Sequence, residues 1–433
     1  MFSGPDVPFR ASANRVAAGF LSFHVHWLPS FLAFLVPIDY RFRLFEGMPS
    51  FTLAEVAAYS VALVYFAQVA TGGWSFHGII KNAYRENRTV FWYFGWVALS
   101  FLFGLARSEN IVPIVKDLIP GLLFYVIVLL CVRTEQQVFS VIGCFLLCIS
   151  INGILGVVQT MTNRYYIGEM HDIAFLKTDQ YGDIVEYLAM GFFSHPNGYA
   201  LFLIPGIFLV LFMVRHRIFP DRTRHASLLL LLALLVYNLL HTYSKGAIAW
   251  TALGVLLSFY LPRLGEKRFF PACMISIIGG IVAMVLSGAL LFVYYSSAFG
   301  TTLGRLAYWW EGVNLLLGDS AIFLFGAGFD DMEAIMRSMF GITMNHAHNG
   351  YLNQALFHGV PAMMLFIAVV VGNLRTAAGR DNGGKWLGPG KGSYKHLIGA
   401  CYVAYFGEYF FEPAQLGVNT QMLTFLIFAI TAV

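Results

Sequence analysis

The sequence predicts an all-α polytopic membrane protein whose single transmembrane domain takes up residues 1–433. Hydrophobic residues make up 58% of the chain, charged residues only 12%, and the mean hydropathy is +0.69. A soluble domain of this size does not have such a composition. The apolar residues form long continuous runs, whereas a transmembrane barrel shows short segments that alternate in polarity. Chain length therefore reflects the number of membrane spans rather than the number of soluble domains.

The apolar runs predict about twelve membrane-spanning helices, because each is close to the ~20 residues that a helix needs to cross a bilayer. Three runs are shorter than that, and the last one stops at Val433. Two neighbouring runs in the middle of the chain are close enough to be mistaken for one long segment. The predicted spans lie near residues 17–38, 51–72, 90–106, 113–132, 138–161, 191–214, 226–243, 246–261, 271–293, 351–373, 397–411 and 418–433.

Lys and Arg residues determine the predicted orientation, since the cytoplasmic loops of membrane proteins are rich in them. With the N-terminus in the cytoplasm, that side holds 18 of the 27 Lys and Arg residues and only 6 of the 23 Asp and Glu residues. The opposite face then carries two loops. The smaller one, at 162–190, is acidic, and the large one is at 294–350. The longer loop is the longest stretch without a continuous apolar span, so we expect it to carry part of a functional site.

The loop at 294–350 is predicted to be partly helical. Its apolar residues between 303 and 317 recur at helical spacing. This pattern indicates a helix that lies in the membrane interface, with Trp309 and Trp310 at the depth of the lipid headgroups.

Asp330 and Asp331 form an adjacent pair of acids in the same loop. Acidic residues favour a helix N-terminus, so the pair indicates a second short helix over residues 330–340. The alternative is a divalent metal site. The sequence lacks zinc-type cysteine spacing, a Walker loop and a dinucleotide fingerprint, so we expect no bound metal and no cofactor.

His348 is the leading catalytic candidate. It lies at the outer end of the span predicted at 351–373, where Asn349 is the expected N-cap residue. A half-dry site of this kind brings the pKa of a histidine into the range that suits a base. The alternative is an interfacial histidine that is hydrogen-bonded to a neighbouring loop. His346, two residues earlier, cannot easily share its orientation and is expected to support it.

Arg305 and Lys245 are the candidate anion-binding residues. An arginine in hydrophobic surroundings needs an acid or a ligand as its partner, and its planar guanidinium fits a phosphate group. A salt bridge from Arg305 to Glu311 or Asp319 is the alternative. Lys245 lies in a very short outer turn with no acid nearby in sequence. Its alternative is a side chain that extends the ammonium group to the membrane interface.

His195 and Asn197 lie at the start of the sixth predicted span. The proline between them suits the first turn of a helix, and a helix N-terminus beside a histidine can hold an anion. A well-formed helix start without a ligand is the alternative. Candidate residues thus lie at the outer ends of four separate elements, near positions 195, 245, 305 and 348. Their common face favours one site over four unrelated features.

Five short motifs occur in order between residues 196 and 359. They are Pro196-Asn197, Ser244-Lys245-Gly246-Ala247, Gly304-Arg305 with Trp309, Gly326-Ala327-Gly328, and His348-Asn349 followed by Gly359. In type, order and spacing they resemble the O-antigen ligase and Wzy-type polymerase superfamily of bacterial envelope polysaccharide enzymes. The resemblance covers roughly residues 190–365. It departs from the ligase pattern at Lys245, which replaces an arginine, and at Ala362, which replaces a glycine.

The resemblance implies a GT-C type, inverting and metal-independent glycosyltransferase in the bacterial inner membrane, with its active site facing the periplasm. The implied donor is a glycan on undecaprenyl diphosphate. By the same resemblance, His348 activates the acceptor hydroxyl, while Arg305 and Lys245 hold the diphosphate leaving group. The supporting residues are then His346, Asn349, His195 and Asn197.

The two departures from the ligase pattern favour a polymerase that makes an exopolysaccharide from lipid-linked donor and acceptor repeats. An O-antigen ligase, which transfers glycan to lipid A core, is the alternative. The expected partners are the lipid bilayer, a chain-length regulator and export machinery. We expect no binding to nucleic acid. A membrane transporter is the alternative from another class, since polar groups in a helical bundle also suit a permease. Against it, the charged candidates cluster at one face.

We expect a cysteine introduced at Ser320 to react with a membrane-impermeant thiol reagent added outside the inner membrane, because the Lys and Arg asymmetry assigns its loop to that side. The five native cysteines all lie within predicted spans, so the unsubstituted protein is the control. Labelling that occurs only after the membrane has been broken would contradict the orientation, and with it the position of the site.

Overall fold

The chain forms a bundle of α-helices in the computed structural model. Over the described residues, the remaining regular structure is a short 3-10 helix at Leu261–Arg263 and two small antiparallel hairpins. The described residues are 27–39, 41–42, 50–70, 88–108, 119–132, 134–164, 176–178, 184–193, 195–219, 221–264, 266–294, 300–328, 337, 347–379, 395–411, 421–424 and 426–428.

Thirteen α-helices have bounds within these residues, and residues 27–35 are also helical. The helices are α1 (Leu53–Ala70), α2 (Arg88–Ser108), α3 (Ile119–Cys131), α4 (Glu135–Thr162), α5 (Pro196–Arg215), α6 (Arg222–His241), α7 (Lys245–Tyr260), α8 (Glu266–Tyr294), α9 (Gly300–Gly318), α10 (Ser320–Phe325), α11 (Gly350–His358), α12 (Val360–Gly379) and α13 (Lys395–Glu408). The strands are β1 (Arg41–Phe42), β2 (Phe51–Thr52), β3 (Leu176–Thr178) and β4 (Ile184–Tyr187).

Five helical segments of the described chain are long and apolar enough to cross a membrane. Several shorter apolar helices accompany them, which agrees with an all-α membrane protein. The total of about twelve spans remains a prediction. The five segments are Gln136–Thr162, Pro196–Arg215, Arg222–His241, Lys245–Arg263 and Arg268–Leu286.

The two neighbouring apolar runs near 226–243 and 246–261 are separate helices, as predicted. Helix α6 ends at His241, α7 begins at Lys245, and Tyr243 between them adopts a left-handed backbone with φ of 54°. A left-handed residue reverses the chain within a very short turn. Lys245 therefore begins a helix instead of lying within one.

The prediction of one continuous helix over 351–373 is wrong. The chain breaks at Gly359, which has φ of 88°, so that α11 and α12 are distinct helices. A Cβ atom at Gly359 would overlap the backbone of Leu324, and one at Gly326 would overlap the backbone of Phe357. The Ala327 amide also donates to the Leu356 carbonyl at 2.7 Å. Two backbones meet here, and hydropathy alone does not reveal such a contact.

Helix α9 confirms the helix predicted between residues 303 and 317. A short helix that was not predicted, α10, follows it, and the Asp319 side chain caps α10 by accepting hydrogen bonds from the amides of Ala321 and Ile322. The second helix predicted at 330–340 lies outside the described residues, apart from Arg337.

The acidic loop at 162–190 contains the β3–β4 hairpin, which the sequence did not predict. After the hairpin the chain enters the bundle between α4 and α6, and side-chain amides take over its backbone hydrogen bonds. Gln159 accepts from the amides of Met190 and Gly191 at 3.1 and 2.9 Å, and Asn152 accepts from Phe192 at 2.8 Å. These bonds fix the chain just before α5 begins.

Helices α7 and α13 lie close together because small residues line their contact. A Cβ atom at Gly254 would meet the carbonyl of Ala400, and one at Gly407 would meet the buried ring of Trp250. Small residues allow membrane helices to approach at backbone distance. The end of α13 is thereby brought against the start of α7.

Helix α11 is held against α2 by two buried polar contacts. The Tyr93 hydroxyl donates to Gln354 at 2.9 Å, and the Ser100 hydroxyl lies 3.2 Å from His358 Nδ1. Because Gln354 and His358 are one turn apart, the pair fixes the rotation of α11 about its own axis. The direction in which the segment before α11 leaves the helix is fixed with it.

We expect Gly359→Ala to lower the free energy of unfolding by about 2 kcal/mol or more, because the side chain adds both a left-handed strain and a clash with backbone. Unfolding in a denaturing-detergent titration measures this. Gly372→Ala is the matched control, since it lies on the exposed side of α12 with open space around it. Equal stability of the two variants would contradict the tight backbone contact at Gly359.

Candidate functional site

Lys245 is the first residue of α7, and its side chain is exposed whereas that of Ser244 before it is buried. A buried acid lies beside this turn: the Ser244 hydroxyl donates to Glu408 Oε1 at 3.3 Å. A Cβ atom at Gly246 would collide with the same carboxyl group. The sequence shows no acid near Lys245 because Glu408 is at the far end of the chain, on α13.

Arg305 lies on α9 and is half-buried. Its guanidinium Nη1 donates to the Phe411 carbonyl at 3.1 Å, just beyond the end of α13. Of the two acids considered as its salt-bridge partners, Glu311 accepts from Asn314 at 3.3 Å and Asp319 caps α10. The contact with Phe411 brings Arg305 to the same end of α13 that Glu408 occupies.

His348 lies in a short connection directly before α11 and adopts a left-handed backbone with φ of 48°. Asn349 is the N-cap of α11, as predicted, and accepts from the Leu352 amide at 3.0 Å. A histidine with positive φ is uncommon and costs free energy, which the surrounding contacts must offset. Strain of this kind is concentrated at functional sites.

The contacts that hold His348 lie on both sides of it. The preceding residue, Ala347, accepts a hydrogen bond from Trp309 Nε1 and donates one to Asn353 Oδ1, each at 2.7 Å. On the other side, the Gly350 amide donates to the Tyr409 carbonyl at 2.8 Å. The strained backbone at His348 is therefore fixed by α9, α11 and the end of α13 together.

His195 is the N-cap of α5, where its Nδ1 accepts from the Asn197 amide at 3.1 Å. Since Nδ1 is the acceptor, the proton of the neutral ring is on Nε2. The residue is exposed, but protein packed near its ring lowers its pKa, and the positive charge of Arg305 lowers the pKa further. His195 and Arg305 thus act on each other electrostatically, and the histidine is uncharged at neutral pH.

The segment 408–411, called here the α13 end, contacts the elements that carry three of the candidates. Its Glu408 side chain lies at the start of α7, its Tyr409 carbonyl binds the start of α11, and its Phe411 carbonyl binds Arg305. The rings of Phe410 and Phe411 also pack on Trp309, with centroids 5.2 and 6.2 Å apart. Elements far apart in sequence therefore meet around one short segment.

Not all predicted site residues can be located. His346 and the acids Asp330 and Asp331 lie outside the described residues. Within the residues that are described, no three His, Cys, Asp or Glu side chains are grouped closely enough to hold a metal ion.

The arrangement has the groups that a transfer from an anionic leaving group requires. It combines two cationic side chains with an uncharged histidine at a helix start and a second histidine on a strained connection. Fixed positive charges stabilise negative charge that develops during a reaction, and they do so best where water is partly excluded. An imidazole with a pKa near or below neutrality can accept a proton.

Glu408 and Asn353 are the residues that the sequence analysis missed. Both are buried polar residues inside runs predicted as membrane spans. An ionisable residue within a span is costly and marks a functional position by default. That rule would have selected Glu408 from the sequence, although it does not reveal the contact with α7.

A comparison with protein-family models matches residues 228–367 to the family described as O-antigen ligase. This stretch carries Lys245, Arg305 and His348, while His195 and the α13 end lie outside it. No curated protein matches the chain. The match confirms, over residues 228–367, that the chain is similar to the O-antigen ligase and Wzy-type superfamily.

Proposed function

We propose that the protein is a polysaccharide polymerase of the bacterial inner membrane, which joins undecaprenyl-diphosphate-linked repeats into an exopolysaccharide at the periplasmic face. The observation that carries the proposal is the meeting of the Lys245, Arg305 and His348 elements around the α13 end. All three residues also lie in the stretch that is similar to O-antigen ligase.

The proposed reaction is a glycosyl transfer with inversion at the donor sugar. His348 takes the proton from the acceptor hydroxyl, and the acceptor oxygen forms a bond to the anomeric carbon of the donor. The bond from that carbon to the diphosphate breaks at the same time, so the electron pair and negative charge move onto undecaprenyl diphosphate. Arg305 and Lys245 stabilise this charge, which needs no metal ion.

The supporting residues act on these groups. Asn349 ends the connection that carries His348, and its capping bond fixes where that connection meets α11. Asn197 holds the imidazole of His195 through a backbone amide, so that Nε2 carries the proton and would donate to an anionic oxygen. His346 would support His348 from the preceding loop.

The choice of polymerase over ligase rests on two positions. Lys245 offers a compact charge where the ligases have the planar fork of an arginine. Ala362, in place of a glycine, is fully buried near the start of α12. An O-antigen ligase remains the second candidate, because the matched family bears that description. A chain-length regulator and export machinery are the partners proposed for a polymerase.

The function is tested with the purified protein in lipid and a lipid-linked repeat unit as substrate, with and without lipid A core. We expect a ladder of products without the core acceptor, and His348→Ala to lower the rate by roughly 10²–10⁴ because proton transfer is lost. His346→Ala is the control, with a milder effect. A single product that requires lipid A core would identify a ligase. A larger loss of rate in His346→Ala than in His348→Ala would assign the base to His346.

The charge of Lys245 gives a separate prediction. Lys245→Arg restores the residue type of the ligases and should keep appreciable activity, whereas Lys245→Met keeps the apolar stem and should lose most of it. Polymer yield at matched membrane abundance is the measurement. Near-normal yields from both variants would mean that Lys245 only anchors α7 in the interface and that Arg305 holds the diphosphate with another partner, His195 being the next candidate.

A further inference from the structure

We propose that Glu408 is a positioning residue for Lys245, whose buried carboxyl group fixes the direction in which the lysine leaves the start of α7. The proposal rests on the function assigned above to Lys245. It concerns a residue on a distant helix, outside the stretch that is similar to O-antigen ligase.

The carboxyl group of Glu408 touches the residues on both sides of Lys245. It accepts from the hydroxyl of Ser244, the N-cap residue of α7, and it lies against the Cα of Gly246, where a Cβ atom has no room. Glu408 and Ser244 are 1% and 5% exposed, and Ala247 is fully buried. Lys245 is exposed although these neighbours are buried, so its backbone is held from within while its side chain extends outward.

Helix electrostatics explain why an acid is suited to this position. Glu408 is the last residue of α13, and a negative charge at a helix C-terminus is unfavourable. The same group lies at the N-terminus of α7, where negative charge is favourable. Its location is therefore explained by its contact with α7 rather than by its own helix. A buried acid without such partners would be strongly destabilising.

The contact also couples two parts of the site. Glu408 begins the α13 end, whose next residues bind the start of α11 and the guanidinium of Arg305 through backbone carbonyls. A shift of Glu408 would move Lys245 relative to Arg305. The spacing between two cations decides whether both can bind one diphosphate, because each must reach an oxygen of the same small group.

The test is the affinity of the full-length protein in lipid nanodiscs for undecaprenyl diphosphate. Glu408→Gln keeps the shape and an acceptor for Ser244 but removes the acidic group, and we expect it to raise the Kd about tenfold. Ser244→Ala removes the contact from the other side and should raise the Kd about threefold. If Glu408→Gln does not fold, the Kd of Ser244→Ala still tests the proposal.

Tyr405→Phe is the matched control. Tyr405 lies on α13, about one turn before Glu408, and the substitution removes its buried hydrogen bond at 2.9 Å to Thr424. We expect it to lower thermal stability and to leave the Kd within twofold of the unsubstituted protein. A structural role of α13 in general would instead affect both variants alike.

A double-mutant cycle separates this inference from the proposed function. If Glu408 acts through Lys245, then Glu408→Gln added to Lys245→Met should change the Kd by less than twofold. A full tenfold effect in that background would show that Glu408 acts independently and would overturn the inference alone, as would an unchanged Kd in the single Glu408 and Ser244 variants. An unchanged Kd in Lys245→Met would overturn the diphosphate role of Lys245 and the inference with it.

Discussion

The packing of the α13 end against α7, α9 and α11 is the interaction on which the candidate site depends. The last carbonyls of any helix lack partners within the helix and must find them elsewhere. At α13 the amides of Tyr409 and Phe411 bond to the carbonyls of Tyr405 and Glu408. The carbonyls of Tyr409 and Phe411, just beyond the helix, accept from the Gly350 amide and the Arg305 guanidinium. The segment that closes the helix therefore also holds the site together.

The bilayer explains why protein encloses the irregular backbone at two places in the described part of the chain. An unpaired amide in hydrocarbon costs several kcal/mol, so non-helical segments at membrane depth must be enclosed and hydrogen-bonded. Gln159 and Asn152 supply those bonds for the segment that leads to His195. Close packing of Gly326 and Gly359 encloses the break between α11 and α12 in the same way. The first of these segments lies just before α5, and the second lies at the end of α11.

The electrostatics of the site follow from combining cations with an uncharged histidine, His195. Burial and the nearby charge of Arg305 lower the pKa of His195, so the cations need not compete with a third positive group. His348 lies on a connection that is strained and fixed from three sides, which limits its motion. Such preorganisation reduces the reorganisation that a reaction would otherwise require.

The sequence by itself determined the membrane class, the separation of α6 from α7, helix α9, the proline in the first turn of α5 and the Asn349 cap of α11, because each depends on local hydropathy, spacing or side-chain chemistry. It also drew His195, Lys245, Arg305 and His348 to attention through their contrast with apolar surroundings. Only the tertiary structure decided the break at Gly359, the hydrogen bonds that hold residues 190–192, and the contact of Glu408 with Ser244. Each of these joins backbones or side chains that are distant in sequence, and no local pattern records how closely two helices approach.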